Sequence, residues 1–285
     1  MSDNRNHRAT VAQETLAILR AGSYRCPLGR EVDLTRLLAE SQEATELIRP
    51  EEWPAICEQA APMHEQGQPA AVEVTPETTL AAARRLSAQP GRRVLALNFA
   101  SAKHPGGGFM GGAQAQEESL ARASGLYPCL LRQPEYYVAN RRGGSLLYTD
   151  HAIHSPRVPV FRDDADKLLG EPFAVGFLTM PAPNVGAMRD NSPDIEQVTG
   201  FFRRRTEYVL ALAVARRYTH VVAGAWGCGV FRNDPTVVAD AFAAALATWG
   251  RRLDGVTFAI LDRGGRIRDE FTRCLILRQS PGGRR

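Results

Sequence analysis

The near-continuous apolar run RRVLALNFA, residues 92–100, constrains this chain more than any other stretch. It has strand length and lacks the polar alternation of a strand with one wet face, so it reads as a strand buried on both sides. Such a strand needs cover above and below, which points to a layered α/β fold. The chain from about Ala70 onward agrees. AAVEVT (70–75) reads as a short strand, and Thr75-Pro76 as the N-cap and first position of a helix to about Ala88. QAQEESLARASGLYPCLL (114–131) reads as a helix, GSLLYTD (144–150) as a strand, and PFAVGFLTMPAPN (172–184) as a strand entering a proline-rich loop. A long helix is expected from Asp194 to Tyr218, then a strand leading into a second glycine loop in THVVAGAWGCGVFRNDP (219–235). A helix over 235–249 and a final strand, GVTFAILD (255–262), complete the alternation.

The first part of the chain has a different texture. ATVAQETLAILRAG (9–22) puts Ala12, Leu16 and Leu19 on one helical face and stops at Gly22. DLTRLLAESQEATELI (33–48) repeats the pattern with Leu34, Leu37, Leu38 and Ile48, and EQGQPA (65–70) reads as a linker. The expected organisation is an N-terminal helical extension, 1–69, followed by an α/β domain, 70–285, with a mixed, largely parallel sheet.

Composition excludes several classes. With 44% hydrophobic and 23% charged residues the chain is ordinary globular material, and no apolar run is long enough for a membrane span. The polar start MSDNRNHRAT lacks the apolar core of a signal peptide, so the expected location is cytoplasmic. Five cysteines without CxxC spacing are expected to be reduced thiols rather than a zinc site or a disulfide framework. A net charge of +4 comes with short arginine runs, Arg203–Arg205 among them. Such runs suit a polyanion, yet most are solvated helix faces and ends.

The chemistry concentrates in HPGGGFMGGAQAQEES, residues 104–119, with five glycines between Gly106 and Gly112 and then Glu117 and Glu118. Glycines between a strand and a helix let main-chain N–H groups approach phosphate oxygens, but they equally make a mobile turn. A P-loop is ruled out because no Gly-Lys-Ser/Thr follows, and the spacing to the acids does not suit a dinucleotide fingerprint. The two glutamates can be acids that satisfy a helix N-terminus, or working groups. Adjacent helical residues point about 100° apart, so one at most faces the loop squarely while the other can hold a hydroxyl beside it. A helix N-terminus favours the carboxylate and opposes a general-acid role, a tension that burial and like charge would have to resolve. Elsewhere, His151 and His154 have HxxH spacing without the rest of a zinc motif, so no metal is expected. Cys228 is either a nucleophile or a small buried thiol, and Phe231 either stacks on a base or belongs to the core. Trp226 reads as packing.

Taken together, GGGFMGGAQAQEE (106–118), LNFASAKHPGGG, YTDHAIHSPRVPVFRD and GAWGCGVFRNDP resemble the poly(ADP-ribose) glycohydrolases, specifically their bacterial-type branch. The resemblance runs from about Ala70 to the C-terminus. It implies a three-layer α/β/α macrodomain that hydrolyses ribose–ribose bonds of poly(ADP-ribose), mainly from chain ends, and releases ADP-ribose without a cofactor. By that resemblance Gly106, Gly107 and Gly108 lie against the diphosphate and distal ribose, and Asn98 contacts that ribose. Gln116, Glu117 and Glu118 match the polar end of the signature, with Glu118 at the catalytic acid and Glu117 fixing ribose hydroxyls. Gly227, Gly229, Val230 and Phe231 match the second phosphate-side loop, with Phe231 at the adenine-stacking position. Ser101 departs from the family pattern, standing where many macrodomains carry a second asparagine. The implied partners are the polymer, ADP-ribose and poly(ADP-ribosyl)ated proteins, with the chain a monomer. A macrodomain that only reads ADP-ribose, and an enzyme that removes single ADP-ribose groups, are the competing readings; the intact acid pair argues against the first.

Overall fold

The computed structural model describes residues 2–61, 68–189, 192 and 194–277. The chain begins with helix α1 (Ser2–Ala21), a β1 (Ser23–Arg25) and β2 (Glu31–Asp33) ribbon, α2 (Thr35–Glu43) and β3 (Glu46–Ile48). Next come α3 (Trp53–Ala60), β4 (Ala71–Thr75), α4 (Thr79–Ser87) and β5 (Val94–Phe99). Three short helices follow, α5 (Gln116–Ala123), α6 (Leu126–Leu131) and α7 (Pro134–Arg142), then β6 (Ala152–Arg162) and β7 (Leu168–Met180). The last part holds α8 (Asp194–Ala215), β8 (His220–Ala223), α9 (Pro235–Trp249), β9 (Gly255–Ala259) and α10 (Arg266–Thr272). Apart from the ribbon, the strands form one mixed sheet of order β3-β6-β7-β5-β8-β9-β4. With helices flanking it, this is the three-layer α/β architecture expected from the sequence.

Two compact units divide the residues. The first comprises 1–48, 98–143 and 151–181; the second comprises 49–97, 144–150 and 182–285. β5 therefore starts in the second unit and ends in the first. Within the first unit β3, β6 and β7 pair antiparallel. Here α1 ends where Gly22 donates its N–H to Ile18, 2.8 Å away. Its apolar stripe divides: Ala12 and Leu16 cover Phe109 and Ala121, whereas Leu19 packs with Ile18, Tyr24 and Phe161. Within the second unit β8 pairs parallel to β9, and β9 to β4. β5 is buried from Val94 to Leu97, as its unbroken apolar run requires. Asp234 caps α9 by accepting from the Thr236 N–H, with Pro235 in the first turn.

The structure corrects the sequence reading in several places. The expected helix over 33–48 stops at Glu43, and Glu46–Ile48 instead pair antiparallel with Ala152–His154, with the Thr45 carbonyl held by Gln133. The cap of α4 is Thr78, whose hydroxyl accepts from Ala81; Thr75 is consumed in β4, opposite Ala259. The expected helix over 114–131 breaks at Ser124–Gly125, because Ser124 bridges to Val160 and Gly125 donates to the Pro159 carbonyl. GSLLYTD is not a strand: its carbonyls are held by a buried arginine, described below. The prolines at 156 and 159 concealed β6, which accommodates them with a register shift between Ser155 and Val158. The α7 and α10 helices were also unforeseen. The proposed linker at 65–70 begins outside the described residues.

One glycine fixes how α1 meets the glycine-rich segment. Gly112 has φ +72°, and a Cβ there would sit 2.1 Å from the Arg5 carbonyl oxygen. Arg5 and Arg8 bond the Gly111 and Gly112 carbonyls from the same helix. Gly112→Ala should lower Tm by at least about 2 °C, since the left-handed backbone alone costs ~1–2 kcal/mol and each kcal/mol shifts a chain of this size by about 2–4 °C. Thermal unfolding followed by circular dichroism checks this, and an unchanged Tm would contradict the packing.

Candidate active site

The site in the first unit is built where β5 gives way to the glycine segment. Ser101 organises the exit: its hydroxyl accepts from the Lys103 and His104 N–H groups at 3.2 and 3.1 Å. Gly107 then donates to the His104 carbonyl, and Phe109–Gly111 form a single helical turn. Phe109 is fully buried, which anchors the middle of a segment that glycine alone would leave loose. The segment ends at α5, whose N-cap Ala115 offers no side-chain hydrogen bond. Glu117 and Glu118 occupy the first turn instead, where carboxylates offset the exposed N–H groups.

The two carboxyls point apart, as helical geometry demands. Glu117 turns inward and is only 3% exposed. Its Oε2 accepts from the Ser101 N–H at 2.6 Å, and Asn98 Nδ2 lies 3.5 Å from its Oε1. Burial, and after it the charge of Glu118, push the Glu117 carboxyl up to about 8, against the lowering effect of the N–H groups that bond it. Burial therefore favours the neutral form of Glu117 at neutral pH. Glu118 is half-buried, and its Oε1 accepts from the Gly108 N–H at 3.0 Å. Gly107 explains why that is possible: a Cβ there would lie 2.3 Å from Glu118 Oε1, on a backbone at φ +59°. Part of the glycine density thus makes room for an acidic side chain of the protein itself.

The remaining residues proposed for this loop have definite places. Gln116 Oε1 accepts from the Phe99 N–H at 2.8 Å and so ties the start of α5 to the end of β5. Asn98 is fully buried, bonds Thr179 Oγ1 at 3.1 Å, and keeps a buried Oδ1 without a hydrogen-bond partner among the described residues. Gly106 packs against Phe109 and Tyr127, and Gly108 against Ala113. Asn98, Gly106, Gly107, Gly108, Gln116, Glu117 and Glu118 are therefore one cluster.

Two neighbours of that cluster escaped the sequence reading. Arg122, one turn beyond Glu118, is 2% exposed and donates to the Ala113 carbonyl at 2.8 Å, pinning the approach to α5. Tyr137 on α7 is also buried, its hydroxyl pushed upward by burial and by the nearby Glu117. An arginine at i+4 from an acid was the only available signal.

The second glycine loop lies in the second unit. Gly227 packs on Ala182 and Asn233, and Asn233 Nδ2 closes the loop by bonding the Pro183 and Gly227 carbonyls at 2.7 and 3.0 Å. Gly229 and Val230 are exposed, Val230 at 81%, and the half-buried Phe231 ring lies 6.4 Å from that of Tyr148. Phe231 is a rim residue, not core. Trp226 is fully buried against Phe202, the packing role expected of it. Burial pushes the Cys228 thiol up to about 12, which favours the inert reading over a nucleophile. His154 is buried in β6 and bonds Glu46 at 2.8 Å. Arg205, expected on a solvated face, is fully buried.

The buried acid carries a pH signature. Between about 4.5 and 8 Glu117 is ionised in the unfolded chain but neutral in the folded one. The unfolded chain then binds fewer protons, so this residue makes stability fall as pH rises through that window. Glu117→Gln removes the effect. The difference in Tm, variant minus wild type, should climb steadily across the window; a difference that stays flat with pH would contradict a buried neutral carboxyl.

The family model described as microbial-type PARG, catalytic domain, matches residues 12–163. The crystal structure of poly(ADP-ribose) glycohydrolase from Thermomonospora curvata is 46% identical, with 95% of this chain and 100% of that chain covered and a TM-score of 0.89. The same enzyme bound to the inhibitor ADP-HPD is 46% identical, covering 94% and 99%, with a TM-score of 0.87. The Deinococcus radiodurans enzyme in complex with ADP-ribose is 45% identical, covering 84% of this chain and 96% of that chain, with a TM-score of 0.78. No curated protein matches.

Proposed function

This chain belongs to the microbial-type poly(ADP-ribose) glycohydrolase family, and from that membership we propose how its residues divide the work. Its activity is glycosidic: hydrolysis of poly(ADP-ribose), with ADP-ribose released. The leaving 2′-oxygen needs a proton as the ribose passes through an oxocarbenium-like state. Glu118, protonated in the substrate complex beside the bound diphosphate, supplies that proton, and as the carboxylate so formed it then takes one from the attacking water. The observation that carries this assignment is the contrast within the pair: Glu118 is accessible at the edge of the glycine segment, whereas Glu117 is buried and bonded to Ser101.

Glu117 and Asn98 hold the ribose hydroxyls. The unpartnered buried Oδ1 of Asn98 supports this, since an acceptor kept dry gains most from a hydroxyl donor. Gly106, Gly107 and Gly108 take the diphosphate side, and Gln116 keeps the two ends of the loop in register. Orienting the scissile sugar in this way lowers the entropic part of the barrier. In the second loop Gly227, Gly229 and Val230 serve the phosphate side, while Phe231 takes the adenine side; the exposed rim supports that reading.

Cleavage is mainly from chain ends. Supporting this, α1 packs directly on the end of the glycine segment, through Arg5 and Arg8 to Gly111 and Gly112. The same reading takes poly(ADP-ribosyl)ated proteins as carriers of the polymer, and a cytoplasmic monomer as the working form.

Wild-type protein mixed with poly(ADP-ribose) should release free ADP-ribose from the first time point. Glu118→Gln should lose at least ~100-fold in kcat, the lower end of what a general acid contributes, and still bind ADP-ribose. Chromatography of the products and calorimetry of binding read the two quantities. Normal turnover by the variant would overturn the assignment, and early accumulation of oligomers would overturn chain-end cleavage.

A further inference from the structure

Tyr148 sits in a conformation that a tyrosine rarely adopts. Its φ is +58°, in the left-handed region where a bulky side chain is strained. The surroundings hold it there. Arg205, fully buried, directs one guanidinium nitrogen at the carbonyls of Leu147, Tyr148 and Thr149, at 2.9, 3.1 and 3.0 Å. Its Nε bonds Asp150 Oδ1 at 2.7 Å, and Asp150 Oδ2 takes Arg204 Nε at 2.8 Å. A buried cation bonded to three successive carbonyls and to Asp150 fixes that turn's backbone tightly.

The side chain so displayed meets the ring of Phe231. The Tyr148 and Phe231 rings are 6.4 Å apart and inclined at 43°. That spacing and tilt leave no slot for a flat base between them, so Tyr148 is not a second stacking face. It is a backstop on one side of Phe231. The carbonyl of Phe231 is held independently, accepting from Gly186 at 2.8 Å. Backbone and ring are thus each fixed by a separate contact, on a loop whose neighbouring Gly229 and Val230 are exposed.

We propose that Tyr148 is a positioning residue that sets the pitch of the Phe231 ring, and through it the affinity for the adenine-bearing part of the substrate. The inference rests on the reading of Phe231 as the adenine-side residue. Strain at Tyr148 is maintained because the left-handed turn is what aims its ring at Phe231. The hydroxyl has no part in this, and neither residue touches the scissile bond.

The test is a double-mutant cycle read by calorimetry with ADP-ribose and by turnover of poly(ADP-ribose). Asparagine tolerates the left-handed backbone, so Tyr148→Asn removes the ring without altering the turn. It should weaken ADP-ribose binding about 3- to 10-fold, the worth of one aromatic pair, and leave kcat within about twofold. Tyr148→Phe should behave as wild type. Combined with Phe231→Ala, Tyr148→Asn should add nothing further, because the ring it positions is gone. Unchanged binding in Tyr148→Asn, full additivity in the double variant, or a Tyr148→Phe as weak as Tyr148→Asn would each overturn the proposal. Phe231→Ala by itself reports on the underlying reading: if that variant binds ADP-ribose normally, the adenine assignment fails first.

Discussion

The bond from the Ser101 N–H to the Glu117 carboxyl, 2.6 Å long and almost fully buried, is the contact on which the first unit's site depends. It joins the exit of a strand to the first turn of a helix across the glycine segment. A carboxyl in that position is costly as an anion, and the cost shows as a value raised to about 8. Remaining neutral resolves it. Because Glu117 is committed inward, the next residue along the helix must point elsewhere, and the direction available is toward Gly107 and Gly108. The location of the accessible acid is a consequence of the location of the buried one.

Around that bond the remaining contacts act as braces. Gln116 ties the helix start to Phe99, Arg122 secures the Ala113 carbonyl, and α1 closes over Gly112 and Phe109. Each brace restrains a segment whose composition gives it little stiffness. This arrangement gives a flexible sequence one fixed backbone path, with its N–H groups spent on carbonyls of the segment and on Glu118. The second unit follows the same logic with a different agent: a buried guanidinium, Arg205, fixes the turn that carries Tyr148.

Much of this was legible in the sequence, for identifiable reasons. The strand-length apolar run at 92–100 has no competing helical period, so β5 and the layered fold followed from it. The glycine density and the adjacent acids pointed to the cluster proposed as the site, and 100° of helical rotation foretold that the two acids would point differently. Illegible features were those decided by partners distant in sequence. Glu46–Ile48 has a helical pattern but is claimed by β6, and the helix over 114–131 is broken by a bridge to Val160. The turn at 144–150 has strand-like residues whose carbonyls are taken by Arg205, over fifty positions away. Which acid would be buried was likewise undecidable, because the burying groups come from Ser101, Asn98 and α7.

The division of labour between Glu117 and Glu118 is the central claim, and infrared difference spectroscopy of the carboxyl carbonyl stretch tests it most directly. The account predicts a protonated-carboxyl band in the free protein at neutral pH that titrates away near 8 and is missing from Glu117→Gln. A spectrum without that band, or one in which it persists in Glu117→Gln, would contradict the account, because the buried acid would then be either charged or not the group that holds the proton.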